Sequence, residues 1–266
     1  MRCAANAAEK GGRSLYKSIE EITLNTWPAE QSVMLEGWVL RSAAGYTKRA
    51  NSVNPLYGPE EQDAGLGMLR KIRLAEQYYE DAGLNPVFKI TPYARPAGLD
   101  KELESQGYSL IEPSSVRVLD LQDLPELRNV YTLQIRSELT EEWLEVFADL
   151  TGLSSGNRET LRRMLTASCL KQGYALLLKS GLPAACGLGV IQHGYIGLYD
   201  IVTAPAHRRQ GMAEQLILGL LHWAKAQGAA ASFLQVVQAN KGASALYDKL
   251  GYKEIYQYWY RVKIRE

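Results

Sequence analysis

The heptapeptide His207-Arg208-Arg209-Gln210-Gly211-Met212-Ala213 decides how this chain is read. It is reached from the apolar segment Tyr195 to Val202 through Pro205. It opens a run to Gln227 in which Leu216, Leu220 and Trp223 recur at helical spacing, a core-facing stripe. The order is therefore strand, loop, helix. Backbone N–H groups at such a helix start, reinforced by the helix dipole and by arginines, make a seat for phosphate, and Gly211 lets that backbone come close. A pyrophosphate fits this description. The pattern Arg-x-x-Gly-x-Ala is short enough to recur by chance, so its surroundings must supply the specificity.

Downstream, Gly228 stops the helix, Phe233 to Val237 reads as a short buried strand, Lys241 to Leu250 as a helix, and Ile255 to Ile264 as an aromatic strand after Gly251-Tyr252. Upstream, helices near Pro125 to Glu138, Glu141 to Leu150 and Arg158 to Leu170 lead into strands Tyr174 to Leu178, Ala185 to Gln192 and Tyr195 to Val202. The turns Ser180-Gly181 and His193-Gly194 make those strands an antiparallel meander. The first half offers a helix Ser14 to Leu24, strands Trp38 to Leu40 and Arg49 to Val53, and a helix that opens at Gly65 to Gly67 and ends at Ala82. Strand Val87 to Thr91, helix Leu99 to Gln106 and a strand toward Leu119 follow.

The two halves repeat one another. Gly67-Met68 opens a helix as Gly211-Met212 does, and Gly107-Tyr108 closes a later one as Gly251-Tyr252 does, both at a spacing of 144 residues. The copies differ in chemistry. At this spacing Arg208 corresponds to Ala64, Ala213 to Leu69 and Tyr247 to Leu103, and the acids Glu60, Glu61 and Asp63 precede the first copy's helix, where they repel an anion.

The second motif is Asn240-Lys241-Gly242-Ala243-Ser244-Ala245-Leu246-Tyr247-Asp248-Lys249-Leu250-Gly251-Tyr252. With both motifs in this order, residues 120 to 266 resemble the GNAT superfamily of acyl-coenzyme A dependent N-acetyltransferases. The resemblance implies an α/β (α+β) fold of two tandem GNAT-like domains, each a mixed, mostly antiparallel twisted sheet flanked by helices. Residues 1–120 would be a degenerate copy and residues 121–266 the catalytic one. It implies that the backbone of Arg208, Arg209, Gln210, Gly211, Met212 and Ala213 holds the pyrophosphate of acetyl-coenzyme A. It implies that the strand end Ile201-Val202 pairs with the pantetheine arm, that Asn240 faces the cofactor, and that Tyr247 lies near its sulfur.

Acyl transfer gives these positions a reason. An amine attacking a thioester expels a thiolate of pKa about 8.5, which a phenol of pKa about 10 can hydrogen-bond or protonate. Tyr247 is the expected donor, against the alternative of a core tyrosine on an amphipathic helix. A lysine-like ammonium of pKa about 10.4 is only about 0.04% neutral at pH 7, so a base is also needed. Asp200 is expected there, directly or through water, although an unperturbed Asp is a poor base at neutral pH and the same residue could simply bind backbone. Tyr199 and His207 are weaker substitutes. The aromatic side chains Tyr256, Tyr258, Trp259 and Tyr260 are expected in the core more than in an acceptor cleft.

A net charge of +1 offers no field for a polyanion, so no nucleic-acid partner is expected. The stretch MRCAANAAEKGG has no apolar signal core and nothing approaches a membrane span, which reads as cytoplasmic. Cys3, Cys169 and Cys186 read as free thiols and no metal site is expected. The function expected is acetyl transfer from acetyl-coenzyme A to a primary amine by direct attack in a ternary complex, by a monomer or homodimer. A non-catalytic acyl-coenzyme A sensor and a tandem aminoacyl transferase using charged tRNA are the competing readings. The segments Gly37 to Arg41 and Arg49 to Pro55 form a polar signature whose arginines either reach an acceptor or are solvated.

Overall fold

A computed structural model describes residues 16–58, 67–128 and 130–263. Cys3, Ser14, Glu60, Glu61, Asp63, Ala64, Gly65 and Ile264, all invoked above, lie outside these. In chain order the elements are α1 (residues 16–26), β1 (Gln31–Leu35), β2 (Trp38–Ser42), β3 (Val53–Asn54), α2 (Met68–Asp81), β4 (Val87–Ile90), α3 (Leu99–Ser105) and β5 (Ser109–Asp120). Then come β6 (Thr132–Arg136), α4 (Glu141–Thr151), α5 (Ser155–Thr166), β7 (Lys171–Lys179), β8 (Leu182–Gln192), β9 (Tyr195–Thr203), α6 (Met212–Ala226), β10 (Ala231–Val237), α7 (Lys241–Lys249) and β11 (Lys253–Val262).

The repeat seen in two glycine pairs extends through the fold. The starts of α2 and α6, of β4 and β10, and of β5 and β11 each lie 144 residues apart. The chain forms two compact units: residues 1–115, 237–240 and 255–266 in the first, residues 116–236 and 241–254 in the second. β5 thus passes from the first unit into the second, and β11 from the second into the first. The first unit orders its strands β1-β2-β3-β4-β11 and the second β10-β9-β8-β7-β6. In each unit one pair is parallel, β3 with β4 and β9 with β10, and the other assigned pairs are antiparallel.

In the first unit, α2 turns Ile72, Ala75 and Tyr79 onto Trp38, Leu40, Phe88, Leu99 and Leu103, all buried. The 37–55 signature is structural. The Arg41 guanidinium is buried and donates to the carbonyls of Arg49 (2.8 Å), Leu24 (2.9 Å) and Trp27 (2.5 Å). Asn51 Oδ1 accepts from the amides of Ala43 and Gly45, and its Nδ2 donates to Thr47 O. These bonds coil the segment expected as strand Arg49 to Val53 into a 3-10 turn, Lys48–Ala50, leaving only two residues of β3. Neither Arg41 nor Asn51 is solvated.

The alternate tyrosines of β11 share one buried face around an ion pair. Lys89 Nζ of β4 lies 2.6 Å from Glu20 Oε2 of α1, the two side chains being 3% and 0% exposed. The Tyr256 hydroxyl donates to Glu20 Oε1 (2.6 Å), and Lys89 Nζ stands 4.3 Å from the Tyr258 ring centroid. Burial, then the Glu20 charge, pushes the Tyr256 phenol well above its usual range, so it stays a donor. On the other face of β11, Trp259 Nε1 donates to Asp100 (2.9 Å). Core packing is therefore what this aromatic strand does.

In the second unit α6 lies across the sheet through Leu216, Ile217, Leu220, Leu221 and Ala224. A Cβ on Gly219 would fall 2.0 Å from the Leu133 side chain, so this helix and β6 approach at a residue without one. The helix expected over Pro125 to Glu138 does not form. Side chains of α6 hold this stretch and the residues just before it instead: Lys225 Nζ donates to Gln122 O (2.6 Å), His222 Nε2 meets Pro125 O (2.8 Å), and buried Gln215 both donates to Tyr131 O and accepts from its N–H. Residues 132–136 then pair with β7 as strand β6.

Candidate functional site

β9 changes character partway along. Ile196 to Tyr199 are buried, whereas Asp200 to Thr203 are partly exposed. Two features coincide with the change. The parallel pairing with β10 covers only Tyr195–Gly197 against Ala231–Phe233, so the strands part beyond that point. On the other side, β8 and β9 slip register between Cys186↔Val202 and Leu188↔Tyr199, which sets Asp200 and Ile201 against the single residue Gly187. Asp200 adopts φ 52 in this bulge, an unusual conformation for a residue with a side chain. A Cβ on Gly187 would meet Ile201 Cδ1 at 2.6 Å, so the bulged side chain occupies the space glycine leaves.

Beyond β9 the chain makes a 3-10 turn, Pro205–His207, and enters α6 through two left-handed residues, Arg209 (φ 58) and Gly211 (φ 78). Gly211 is the N-cap and no side chain caps the helix, so its first-turn amides have no side-chain acceptor. The loop is fixed from outside. Gln210 Nε2 donates to Ala206 O (3.1 Å), Lys179 Nζ to Gln210 Oε1 (2.9 Å), and the Tyr131 hydroxyl to Gln210 O (3.1 Å). Arg208 and Arg209 are exposed. The first-turn acid of α6, Glu214, is paired with Lys249 at 2.5 Å, which offsets its charge. A groove of about 730 Å³ adjoins it, lined by Pro125, Arg128, Tyr131, Gly211 and Lys249 among others.

The second unit thus gathers Asp200, Ile201 and Val202 on β9, Arg208 to Ala213 at the loop and helix start, and Tyr247 on α7. Tyr247 is the buried residue of that helix, 9% exposed, with its ring 5.7 Å edge-to-face from Tyr252. Tyr252 in turn bonds Ser232 on β10 (2.7 Å). Asn240 belongs to the segment 237–240 of the first unit, where its amide donates to Val237 O. Tyr199 packs edge-to-face on Phe233 at 6.4 Å and is buried. His207 closes the 3-10 turn, with Nδ1 buried.

Sequence reasoning missed the residues that hold the loop, Tyr131, Lys179 and Gln215. Gln215 carried a signal, an amide on the apolar face of α6.

Cys186 faces Val202 across the sheet and is buried. Burial first, and the Asp200 charge second, push its thiol far above the usual range, which keeps it protonated and unreactive. Iodoacetamide applied to the native protein should modify exposed Cys169 and spare Cys186, which should react only after unfolding; peptide mapping reads this directly. Among the described residues no helix is long and apolar enough to cross a membrane.

Known proteins resemble this chain over most of its length. The family model described as "Probable histone acetyltransferase Rv0428c C-terminal" matches residues 14–261. An uncharacterized N-acetyltransferase of Bacillus subtilis, YobR, is 33% identical over 254 residues, covering 93% of this chain and 98% of its own. A GCN5-related N-acetyltransferase from Kribbella flavida superposes with TM-score 0.69 at 16% identity, over 94% of this chain and 96% of its own. A tandem GNAT protein from the clavulanic acid biosynthesis pathway does so with TM-score 0.66 at 13% identity, over 92% and 87%. At these identities the two solved structures speak for the fold, mixed and mostly antiparallel sheets flanked by helices, while the family match and the B. subtilis relative span nearly the whole sequence. The chain belongs to the Rv0428c C-terminal acetyltransferase family and is an acyltransferase enzyme of the GNAT type.

Proposed function

We propose that the protein transfers an acetyl group from acetyl-coenzyme A to a primary amine by direct attack within a ternary complex. The observation that carries this is the parting of β9 from β10 beyond Gly197 and Phe233, beside a helix start whose first-turn acid, Glu214, is paired with Lys249. Strand backbone left without a neighbour can pair with an amide-bearing arm such as pantetheine, and the amides of Arg209 to Ala213 suit a pyrophosphate. The groove lined by Arg128, Tyr131 and Lys249 has room for the nucleotide end.

The residues divide the reaction between them. Ile201 and Val202 align the thioester arm, with Arg208 and Arg209 adding positive charge where the phosphates lie. Asp200, turned by the bulge at the partly exposed end of β9, receives the proton the ammonium must lose, directly or through water. The amine nitrogen then bonds the thioester carbonyl carbon, the carbon–sulfur bond breaks, Tyr247 gives its proton to the departing thiolate, and the second proton shed by the new amide nitrogen restores the phenol through water. Cys186, protonated and buried, does not take the acyl group on the way. In this reading residues 121–266 carry the chemistry and residues 1–120 are a degenerate copy.

Release of coenzyme A thiol from acetyl-coenzyme A, followed across amines, polyamines, amino acids and peptides with mass detection of the product, tests the proposal. Amine-dependent release with an amide product supports it. Tight coenzyme A binding with no turnover on any acceptor would favour a sensor.

A further inference from the structure

The bulge in β9 has a support on a different element. Helix α4 begins at Glu141, and its N-cap Thr140 accepts from Trp143 N (3.2 Å), so the first turn is closed by its own side chain. Arg162 and Arg158 of α5 clamp Glu141 at the same end, Arg162 Nη2 at 2.7 Å. Trp143 therefore sits on a fixed turn. Its indole is 1% exposed, stacked on Phe147 (5.4 Å, 9°) and edge-on to Tyr174 (5.3 Å, 73°). From there Trp143 Nε1 donates to Gly187 O at 3.2 Å, a buried bond.

Gly187 is the one β8 residue that faces the bulged pair Asp200-Ile201. Gly187 is paired with Ala175 of β7 on one side, and toward the bulge glycine, having no side chain, leaves its peptide plane less constrained than another residue would. The indole N–H supplies that constraint from the helix side, while Ile201 fills the missing Cβ. The plane of Gly187 sets how the ladder resumes on either side of the slip, and hence where Ile201 and Val202 present their backbone groups and where Asp200 points.

We infer that Trp143 is a positioning residue for acyl transfer: through Gly187 O its indole N–H fixes the β9 bulge that aligns the pantetheine end of the donor. The inference rests on the proposed acyl-coenzyme A reading. It separates the two ends of the donor, because the loop at 208–213 that faces the nucleotide end is held by Tyr131, Lys179 and the Gln210 contacts and owes nothing to Trp143.

Calorimetry with coenzyme A and, separately, with adenosine 3′-phosphate 5′-diphosphate tests this on the full chain. Trp143→Phe keeps an aromatic ring on Phe147 and removes the donor. It should weaken coenzyme A by about five- to tenfold, the size of one buried hydrogen bond, and leave the nucleotide unchanged. Phe147→Leu, which loosens the same packing with the N–H intact, should change neither ligand by more than about twofold. Should Trp143→Phe fail to fold, β-(3-benzothienyl)alanine at 143 keeps the fused-ring shape without the N–H and gives the same comparison. Equal weakening of both ligands, or of coenzyme A by Phe147→Leu as much as by Trp143→Phe, would reduce Trp143 to core packing and overturn the inference. Failure of the parent protein to bind coenzyme A would overturn the acyl-coenzyme A reading itself, and this inference with it.

Discussion

Replacing Tyr247 with phenylalanine will lower the turnover of acyl transfer by about 100-fold while coenzyme A binds as before. The size follows from general acid catalysis, which contributes roughly 100- to 10,000-fold when a positioned group moves a proton in the transition state. Binding should survive because the ring is what packs: it lies edge-to-face on Tyr252 within the core cluster, and phenylalanine preserves that contact. Steady-state kinetics on acetyl-coenzyme A with calorimetry of coenzyme A separates the two effects. An unchanged kcat would make Tyr247 a core tyrosine and move the proton to another donor.

The second large effect belongs to stability. Lys89→Met leaves the Glu20 carboxylate in the interior of the first unit with only the Tyr256 hydroxyl among its two close partners. Removing one member of a buried ion pair costs about 3–5 kcal/mol, chiefly because the remaining charge stays desolvated. Urea unfolding should show this loss for Lys89→Met, and the double replacement Glu20→Leu with Lys89→Met should recover most of it. A single-variant loss below about 1 kcal/mol would mean that water reaches Glu20 after the substitution. Tyr256 gives this pair a role in assembly, since the buried triad joins α1, β4 and the last strand of the chain.

Local signals in the sequence were strong wherever a glycine had to turn left-handed. Gly211, Gly107 and Gly251 all adopt positive φ, Gly67 does not (φ −55), and the 144-residue spacing drawn from these four holds for three pairs of element starts. The site loop was legible for the same reason, since Arg209 and Gly211 are placed by backbone geometry that a short motif encodes. Long-range partners were not legible. The stretch from Pro125 carries helix-like apolar spacing, yet His222 and Gln215 of α6 bond Pro125 O and the backbone of Tyr131, contacts across 97 and 84 residues that no local window contains. The Arg49 to Val53 strand failed because Asn51 turns its amide on Ala43, Gly45 and Thr47. The bulge at Asp200 was invisible as well: it is a property of the register between β8 and β9, and Gly187 marks it only once Ile201 is seen to fill its place.

Coenzyme A titrated into the parent protein and into Gly211→Asp and Gly211→Asn tests the central claim, a thioester donor seated at the start of α6. Any side chain is strained at the left-handed φ of 78 of this N-cap, but Asp and Asn enter that region more readily than other residues and a Cβ there meets no atom within 4 Å, so both variants should fold with a similar loss of stability. They differ in one charge. The predicted result is micromolar binding to the parent, a modest loss for Gly211→Asn, and a further loss of at least about tenfold for Gly211→Asp, as an anion beside a phosphate seat requires. Binding that is absent in the parent, or equal in the two variants, would contradict it.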